Sequence, residues 1–172
     1  CYIRLLVHPF DDMSFIRVIS KPRRGIGDSA IEKMRATGTC LMDGLRSCKL
    51  TAKQRTAADE FLSAFDFDWT QMSPRDAVQR LLDKSGYIKM WQESKDPDSS
   101  DRLANIRELI TGVVAKYDSL NEFLEQAALM MTDDNDEPDF QNNNVVNIMT
   151  IHAAKGLEFD NVFLPGWEEN IF

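Results

Sequence analysis

The sequence predicts a mainly α-helical fold that ends in a short strand–turn–strand. Through most of the chain, apolar residues recur at three- and four-residue steps, the period of a helix with one buried face. Two short apolar runs rich in β-branched residues, 145–151 and 160–164, follow a polar, acidic stretch at residues 132–144. These observations indicate a helical body joined by a linker to part of an α/β domain.

Apolar stripes place the helices of the body. The clearest stripe covers residues 101–117, and a second follows from Leu120 to Met131. Residues 51–66 and 11–20 show the same period. Such stripes most simply mean a helical core and not a ligand site.

Three serines mark expected helix starts. Ser73 precedes a proline, a combination typical of an N-cap followed by the first helical position. Ser119 with Glu122, and Ser29 with Glu32, have the spacing of a capping box. We therefore expect helices to open at these serines.

Composition restricts the functional class. The formal net charge of −8 is unusual for a nucleic-acid-binding domain, so any DNA contact must come from a local basic cluster and must be weak and salt-sensitive. Three cysteines without a C-x-x-C pair, beside two histidines, argue against a disulfide framework and against a metal site. We expect a reducing, cytoplasmic setting. No apolar run approaches the roughly 18 to 20 residues that cross a bilayer, so no membrane contact is expected.

A basic loop with two glycines, residues 21–27 (KPRRGIG), is the first candidate site. The glycines permit a tight turn with exposed N–H groups, next to the N-terminus of the following helix, and Ile26 would plug the turn into the core. This is typical of a helix–hairpin–helix loop that grips duplex DNA by its backbone. The alternative is an interhelical turn with solvated arginines, and Asp28 would repel phosphate unless it points away. The candidate contacts are Arg23, Arg24, Gly25, Ile26 and Gly27.

The second candidate site lies between the two predicted strands, where α/β domains place ligand contacts. Thr150 and His152 carry groups that can hydrogen-bond a nucleic-acid backbone. Gly156 permits close approach of a nucleotide, and Glu158 could bind a ribose hydroxyl. A structural histidine near a strand end remains the alternative.

Three longer stretches resemble one protein family. TIHAAKGLEFDNVFLPGWEENIF resembles helicase motif V of the UvrD/PcrA/Rep family of superfamily 1 DNA helicases. KPRRGIGDSAIEKM is similar to the beginning of that family's inserted 2B subdomain, and DRLANIRELITGVVAKYDSLNEFLEQAALMMTDDND to the 2B helices that lead back to the motor. The resemblance covers essentially the whole chain. It implies a crossing from the motor at 1–8, a helical 2B subdomain at 9–141, and a hinge with the motif V portion of a RecA-like 2A domain at 142–172.

The resemblance also implies a function. We expect a fragment of an ATP-dependent 3′–5′ DNA helicase that acts in repair or replication, beginning partway through a longer protein. Thr150 and His152 match residues that contact single-stranded DNA, while Gly156 and Glu158 match residues facing ATP. The turn at residues 25–27, with Arg23 and Arg24, matches the element that grips the duplex. The 2B helices would rotate as a rigid body against the motor domains of the same chain.

Several motor elements are missing from these 172 residues. The sequence has no G-x-x-x-x-G-K-[ST] loop, no Asp-Glu pair after an apolar strand, and no arginine motif after motif V. We therefore expect ATP and Mg²⁺ to be cofactors of the parent, with no catalytic residue and no bound cofactor in this chain. We also expect that the tail of the chain can self-associate through unpaired strand edges. A regulatory or protein-docking module of the same helicase is the alternative, and a helicase–nuclease parent stays open.

Overall fold

The computed structural model describes residues 1–133, 146, 148–151 and 153–164. The chain divides into two compact units, Cys1–Met131 and Thr132–Phe172. The described residues are mainly helical, which confirms the predicted class. No helix among them is long and apolar enough to span a membrane.

The first unit is built from short helices joined by tight turns. The helices of the described residues are α1 (Tyr2–Val7), α2 (Asp12–Ile19), α3 (Asp28–Thr37), α4 (Leu41–Ser47), α5 (Ala52–Ser63), α6 (Pro74–Lys84), α7 (Tyr87–Gln92), α8 (Ser99–Glu108) and α9 (Leu120–Asp133). After α8 the chain continues as a π-helical turn, Leu109–Val113, and a 3₁₀ turn, Val114–Lys116. The helix predicted over 101–117 is therefore α-helical only to Glu108. The wider π-helical turn buries Ile110 in the core, and the tighter 3₁₀ turn buries Val114.

Two of the three predicted serine caps are present. The Ser73 hydroxyl accepts the Asp76 N–H at 3.1 Å, with proline at the first helical position. The Ser119 hydroxyl accepts the Glu122 N–H at 3.2 Å. The return bond of that capping box differs from the prediction, because the Glu122 carboxylate accepts the N–H of Asp118 and not that of Ser119.

The predicted Ser29 cap is wrong. Helix α3 begins at Asp28, and Gly27 is its N-cap, two residues earlier than expected. The extended backbone of Gly27 lets its carbonyl accept the N–H groups of Ala30 at 2.9 Å and Ile31 at 3.1 Å, so the helix opens directly from the glycine loop. Ser29 lies inside the first turn.

An aromatic cluster joins the first two helices to α5. The rings of Phe15 and Phe61 meet edge to face with centroids 5.7 Å apart, and Phe61 lies 5.0 Å from Phe65. The ring of Tyr2 stacks on Phe65 at 6.3 Å. Buried residues from the predicted apolar stripes belong to the same hydrophobic core: Val18, Ile19, Ala58, Ala77, Val78, Leu81 and Leu82.

The predicted strands are not present in the described part of residues 145–151 and 160–164. Val145 and Asn147 lie outside the described residues. A strand needs a neighbour to pair its backbone groups, and no partner strand occurs among the described residues. Residues 151 and 153–156 instead form turns.

Helices α3 and α4 approach each other closely because Gly44 has no side chain. A Cβ atom at Gly44 would lie 2.7 Å from the Met34 Cα, against backbone that cannot move aside. Met34 itself is fully buried. The chain therefore needs glycine at position 44 for steric reasons.

We predict that Gly44→Ala lowers the free energy of unfolding by about 1–3 kcal/mol, through overpacking against α3. Gly112→Ala is the control, because its added Cβ would make only an ordinary contact, 3.5 Å from the Glu108 Cγ. Urea denaturation should place the control within about 1 kcal/mol of wild type. Equal losses in both variants would contradict the close-packing argument.

Asp11 caps the helix that leads into the glycine loop. Its carboxylate accepts the Ser14 N–H at 3.0 Å and lies 3.2 Å from the Arg4 Nε. The hydrogen bond from Ser14 lowers the pKa of Asp11, and the Arg4 guanidinium adds to this shift. The capping contribution is thus present above the ordinary carboxyl pKa and is lost as pH falls through the lower pKa of the folded state.

We predict that Asp11→Ala destabilises the protein by about 1 kcal/mol at pH 7, the usual value of an N-cap. The difference between variant and wild type should shrink as pH is lowered below about 4, because the carboxylate of the unfolded state then binds a proton first and that of the folded state follows at its lower pKa. Urea unfolding at pH 7, 4 and 2.5 measures it. A difference that stays constant across this range would show that the carboxylate charge contributes nothing.

Candidate nucleic-acid interface

The basic loop forms a tight, exposed turn between α2 and α3. Gly25 has φ of +68°, a left-handed conformation that favours glycine. Gly25 and Gly27 are exposed, whereas Ile26 is only 6% exposed and packs into the core. This confirms the prediction that Ile26 anchors the turn.

The turn presents free backbone donors. Within the described residues, the N–H groups of Gly25, Ile26 and Gly27 make no hydrogen bond. The carbonyls of the two glycines are in use: that of Gly25 accepts the Gln54 Nε2–H at 3.0 Å, and that of Gly27 opens α3. Consecutive free N–H groups beside a helix N-terminus suit an anion with several oxygen atoms.

The two predicted arginines differ in direction. Arg23 is exposed and has no salt-bridge partner in the part of the chain that the structure describes. Arg24 turns inward, and its guanidinium carbon lies 4.8 Å from the Phe61 ring centroid. Its terminal nitrogens face the carbonyls of Val18 (2.9 Å), Ile19 (3.3 Å), Pro22 (3.0 Å) and Ser85 (2.7 Å) and the hydroxyl of Tyr2 (3.1 Å). A DNA contact by Arg24 stays a prediction, while every contact that is present is internal.

Asp28, expected to repel phosphate, is exposed in the first turn of α3. A carboxylate in that position interacts favourably with the positive end of the helix dipole. Asp28 therefore has a stabilising role at the helix start that is independent of any ligand.

A second glycine turn lies beside the first. Gly86, with φ of +75°, separates α6 from α7, and its neighbour Ser85 receives the hydrogen bond from Arg24. Both turns line an open groove of about 820 Å³. The groove also carries Lys53 from the N-terminal turn of α5, and Lys89, which pairs with Glu93 at 3.8 Å. Four cationic side chains thus line the groove with two carboxylates, Glu60 and Glu93, on a chain that is acidic as a whole.

Tyr2 is a site residue that the sequence does not reveal. Its hydroxyl donates to the Lys21 carbonyl at 2.5 Å and accepts from Arg24. Burial raises the pKa of Tyr2, and the Arg24 charge partly opposes that shift. The loop is therefore tied to α1, although Tyr2 and Lys21 are 19 residues apart in the sequence. No local spacing of residues indicates such a contact. Gln54 and Ser85 were missed for the same reason.

The described part of the second candidate site is a turn. The Thr150 hydroxyl accepts the Ala153 N–H at 3.1 Å, and its carbonyl accepts the Ala154 N–H at 3.0 Å. Gly156 has φ of +89°, so glycine is favoured there, and Glu158 is exposed. His152 lies outside the described residues. The turn places Thr150 and Gly156 at its two ends, and no group of three or more potential metal ligands occurs in the described ranges.

Comparison with known proteins gives a consistent assignment. The family model of the UvrD-like helicase C-terminal domain matches residues 1–172. The chain is 33% identical over 183 residues to a probable DNA helicase II homolog of Rickettsia felis, covering 99% of this chain and 27% of the relative. It is 32% identical over 211 residues to the ATP-dependent DNA helicase UvrD1 of Mycobacterium leprae and 31% identical over 191 residues to the ATP-dependent DNA helicase PcrA of Bacillus subtilis. Both of these alignments cover 99% of this chain and 26% of the relative. The chain therefore spans about a quarter of the length of the relatives that it matches.

Proposed function

The chain belongs to the UvrD-like helicase C-terminal domain family, and on that premise we propose that it is part of an ATP-dependent DNA helicase in which residues 21–27 grip duplex DNA by its backbone. The observation that carries the proposal is the set of free N–H groups at residues 25–27, beside the exposed Arg23 and the N-terminus of α3. These donors match phosphate oxygens and read no base, as expected for a protein that must advance along any sequence.

The burial of Ile26 supports a grip that is rigid. Because this side chain is fixed in the core, the free N–H groups on either side of it are held at the surface without further ordering on binding. Arg23 adds one mobile positive charge beside them. We propose that the turn positions the hydrogen-bond donors and that Arg23 attracts the phosphate by its charge.

The finer assignment is also a proposal. Residues 9–141 act as the 2B subdomain, and residues 142–172 carry motif V of a 2A motor domain that translocates 3′ to 5′. Thr150 and His152 would contact the single strand. In the complete protein the residues at 145–151 and 160–164 would pair as strands with the rest of the motor sheet.

Open space beside Gly156 supports a nucleotide contact there. A Cβ atom there would meet nothing within 4 Å, so the backbone is open to close approach, and Glu158 is exposed two residues on. We propose that Gly156 and Glu158 face ATP, with Glu158 at the ribose. ATP with Mg²⁺ supplies the free energy for stepping in the complete protein. The residues of this chain only bind and orient it, so the chain by itself is inactive.

A regulatory or protein-docking role is the second candidate function. The net charge of −8 favours it, because a polyanion is repelled at long range by an acidic chain. The two candidates differ in what Arg23 does. A duplex contact needs its charge, whereas a docking surface elsewhere on the unit does not.

We predict that Arg23→Glu in the complete helicase weakens duplex binding about ten-fold or more, since it replaces a charge-assisted phosphate contact with repulsion. ATPase activity stimulated by single-stranded DNA should stay within about two-fold of wild type, because the motor contacts are unchanged. Fluorescence anisotropy with a labelled duplex and a coupled ATPase assay measure the two effects.

Arg107→Glu is the matched control, because Arg107 is also exposed but lies on α8, outside the groove. It makes the same change in net charge and should leave duplex affinity nearly unchanged. Equal affinity of the Arg23 variant and wild type would reject the duplex contact and favour the regulatory role.

A further inference from the structure

We infer that Arg24 and Gln54 are positioning residues of the duplex site, which hold the 21–27 loop from two sides and leave the DNA contact to Arg23 and the free N–H groups. The role in binding rests on the proposed function. The holding of the loop rests on contacts within the helical unit alone.

Arg24 acts beneath the loop, at the ends of two helices. Val18 and Ile19 close α2, and Ser85 is the C-cap of α6. Their carbonyls point toward one guanidinium, so a single positive charge lies at the negative ends of two helix dipoles. The four N–H groups of its terminal nitrogens face five acceptors, which leaves none of them for a phosphate.

The same guanidinium joins the two glycine turns. It bonds the Pro22 carbonyl inside the first turn at 3.0 Å and the Ser85 carbonyl before Gly86 at 2.7 Å. Both turns line the groove, so their separation across it is set by one planar group. A lysine ammonium has the same charge but no fork, and it cannot reach these acceptors together.

Gln54 acts from α5. Its Oε1 accepts the Thr51 N–H at 3.2 Å in a capping box, which fixes the side-chain amide and directs Nε2 to the Gly25 carbonyl at 3.0 Å. Since a trans peptide places its C=O and N–H on opposite sides, fixing the Gly25 carbonyl also fixes the direction of the Ile26 N–H. Gln54 thereby fixes the direction of this donor, on the side of the peptide opposite to Gln54, without touching a ligand.

The test uses Arg24→Lys and Gln54→Leu in the complete protein, with duplex affinity measured well below the melting temperature. Each variant leaves the net charge unchanged. We expect each to weaken duplex binding about ten-fold. Arg24→Lys should also speed hydrogen exchange at the hydrogen-bonded N–H groups of Lys21 and Gly86, one at each turn. Gln54→Leu should leave these two unchanged and abolish the slowing of Ile26 exchange that duplex DNA causes in wild type.

Each alternative gives a different result. If Arg24 binds phosphate itself, Arg24→Lys keeps affinity within about three-fold of wild type, because lysine also binds phosphate as a point charge. If its role is only to stabilise the fold, the melting temperature falls while the folded variant binds normally. Either result overturns the inference for Arg24. Normal duplex affinity of Gln54→Leu overturns the inference for Gln54. This second test stands even if the Arg24→Lys variant does not fold.

Arg23→Gln separates this inference from the proposed function. If residues 21–27 grip duplex DNA, this variant lowers the slope of log affinity against log salt by about one, with exchange at Lys21 and Gly86 unchanged. An unchanged slope would reject the duplex contact. Hydrogen exchange at Lys21 and Gly86 in Arg24→Lys would still show whether Arg24 holds the two turns. Exchange rates at both positions equal to those of wild type would show that it does not.

Discussion

The candidate interface depends on one partly buried charge at the junction of three chain segments. The Arg24 guanidinium joins the end of α2, the end of α6 and the hydroxyl of Tyr2, and it lies against the Phe61 ring. Removing this cation takes a hydrogen-bond donor away from four carbonyls, and a part-buried carbonyl that is left unpaired costs more than the bond itself contributes. The exposed turn above it keeps its shape because its base is fixed in this way.

In this chain, which is acidic overall, one group fixes the shape of the loop and other groups attract the phosphate. The terminal nitrogens of Arg24 bond internal acceptors and fix the shape of the loop. Arg23, Gly25 and Gly27 are exposed, and the N–H groups of residues 25–27 make no hydrogen bond among the described residues. A phosphate within hydrogen-bond reach responds to these local donors more strongly than to the screened net charge of −8. An acidic domain can therefore contact DNA at one point and still avoid non-specific attraction along its surface.

The sequence predicts what depends on local period and misses what depends on tertiary contacts. Apolar spacing places α2, α5 and α6, and Ser73 is found from its proline. The burial of Ile26 follows from its position between two glycines in the loop. Adjacent arginines are identical to any local rule, so only the fold distinguishes the inward from the outward one. Ser29 has good capping chemistry, yet the extended Gly27 opens α3 first. Isolated β-branched runs predict strands, but a strand also needs a partner.

Hydrogen exchange at the free N–H groups of Gly25, Ile26 and Gly27, with and without DNA, tests the central claim most directly. These groups make no hydrogen bond among the described residues, so they should exchange rapidly in the free protein. The account predicts that saturating duplex DNA slows all three, while single-stranded DNA does not. Rapid exchange that persists in the duplex complex would show that the turn does not contact DNA and would contradict the account.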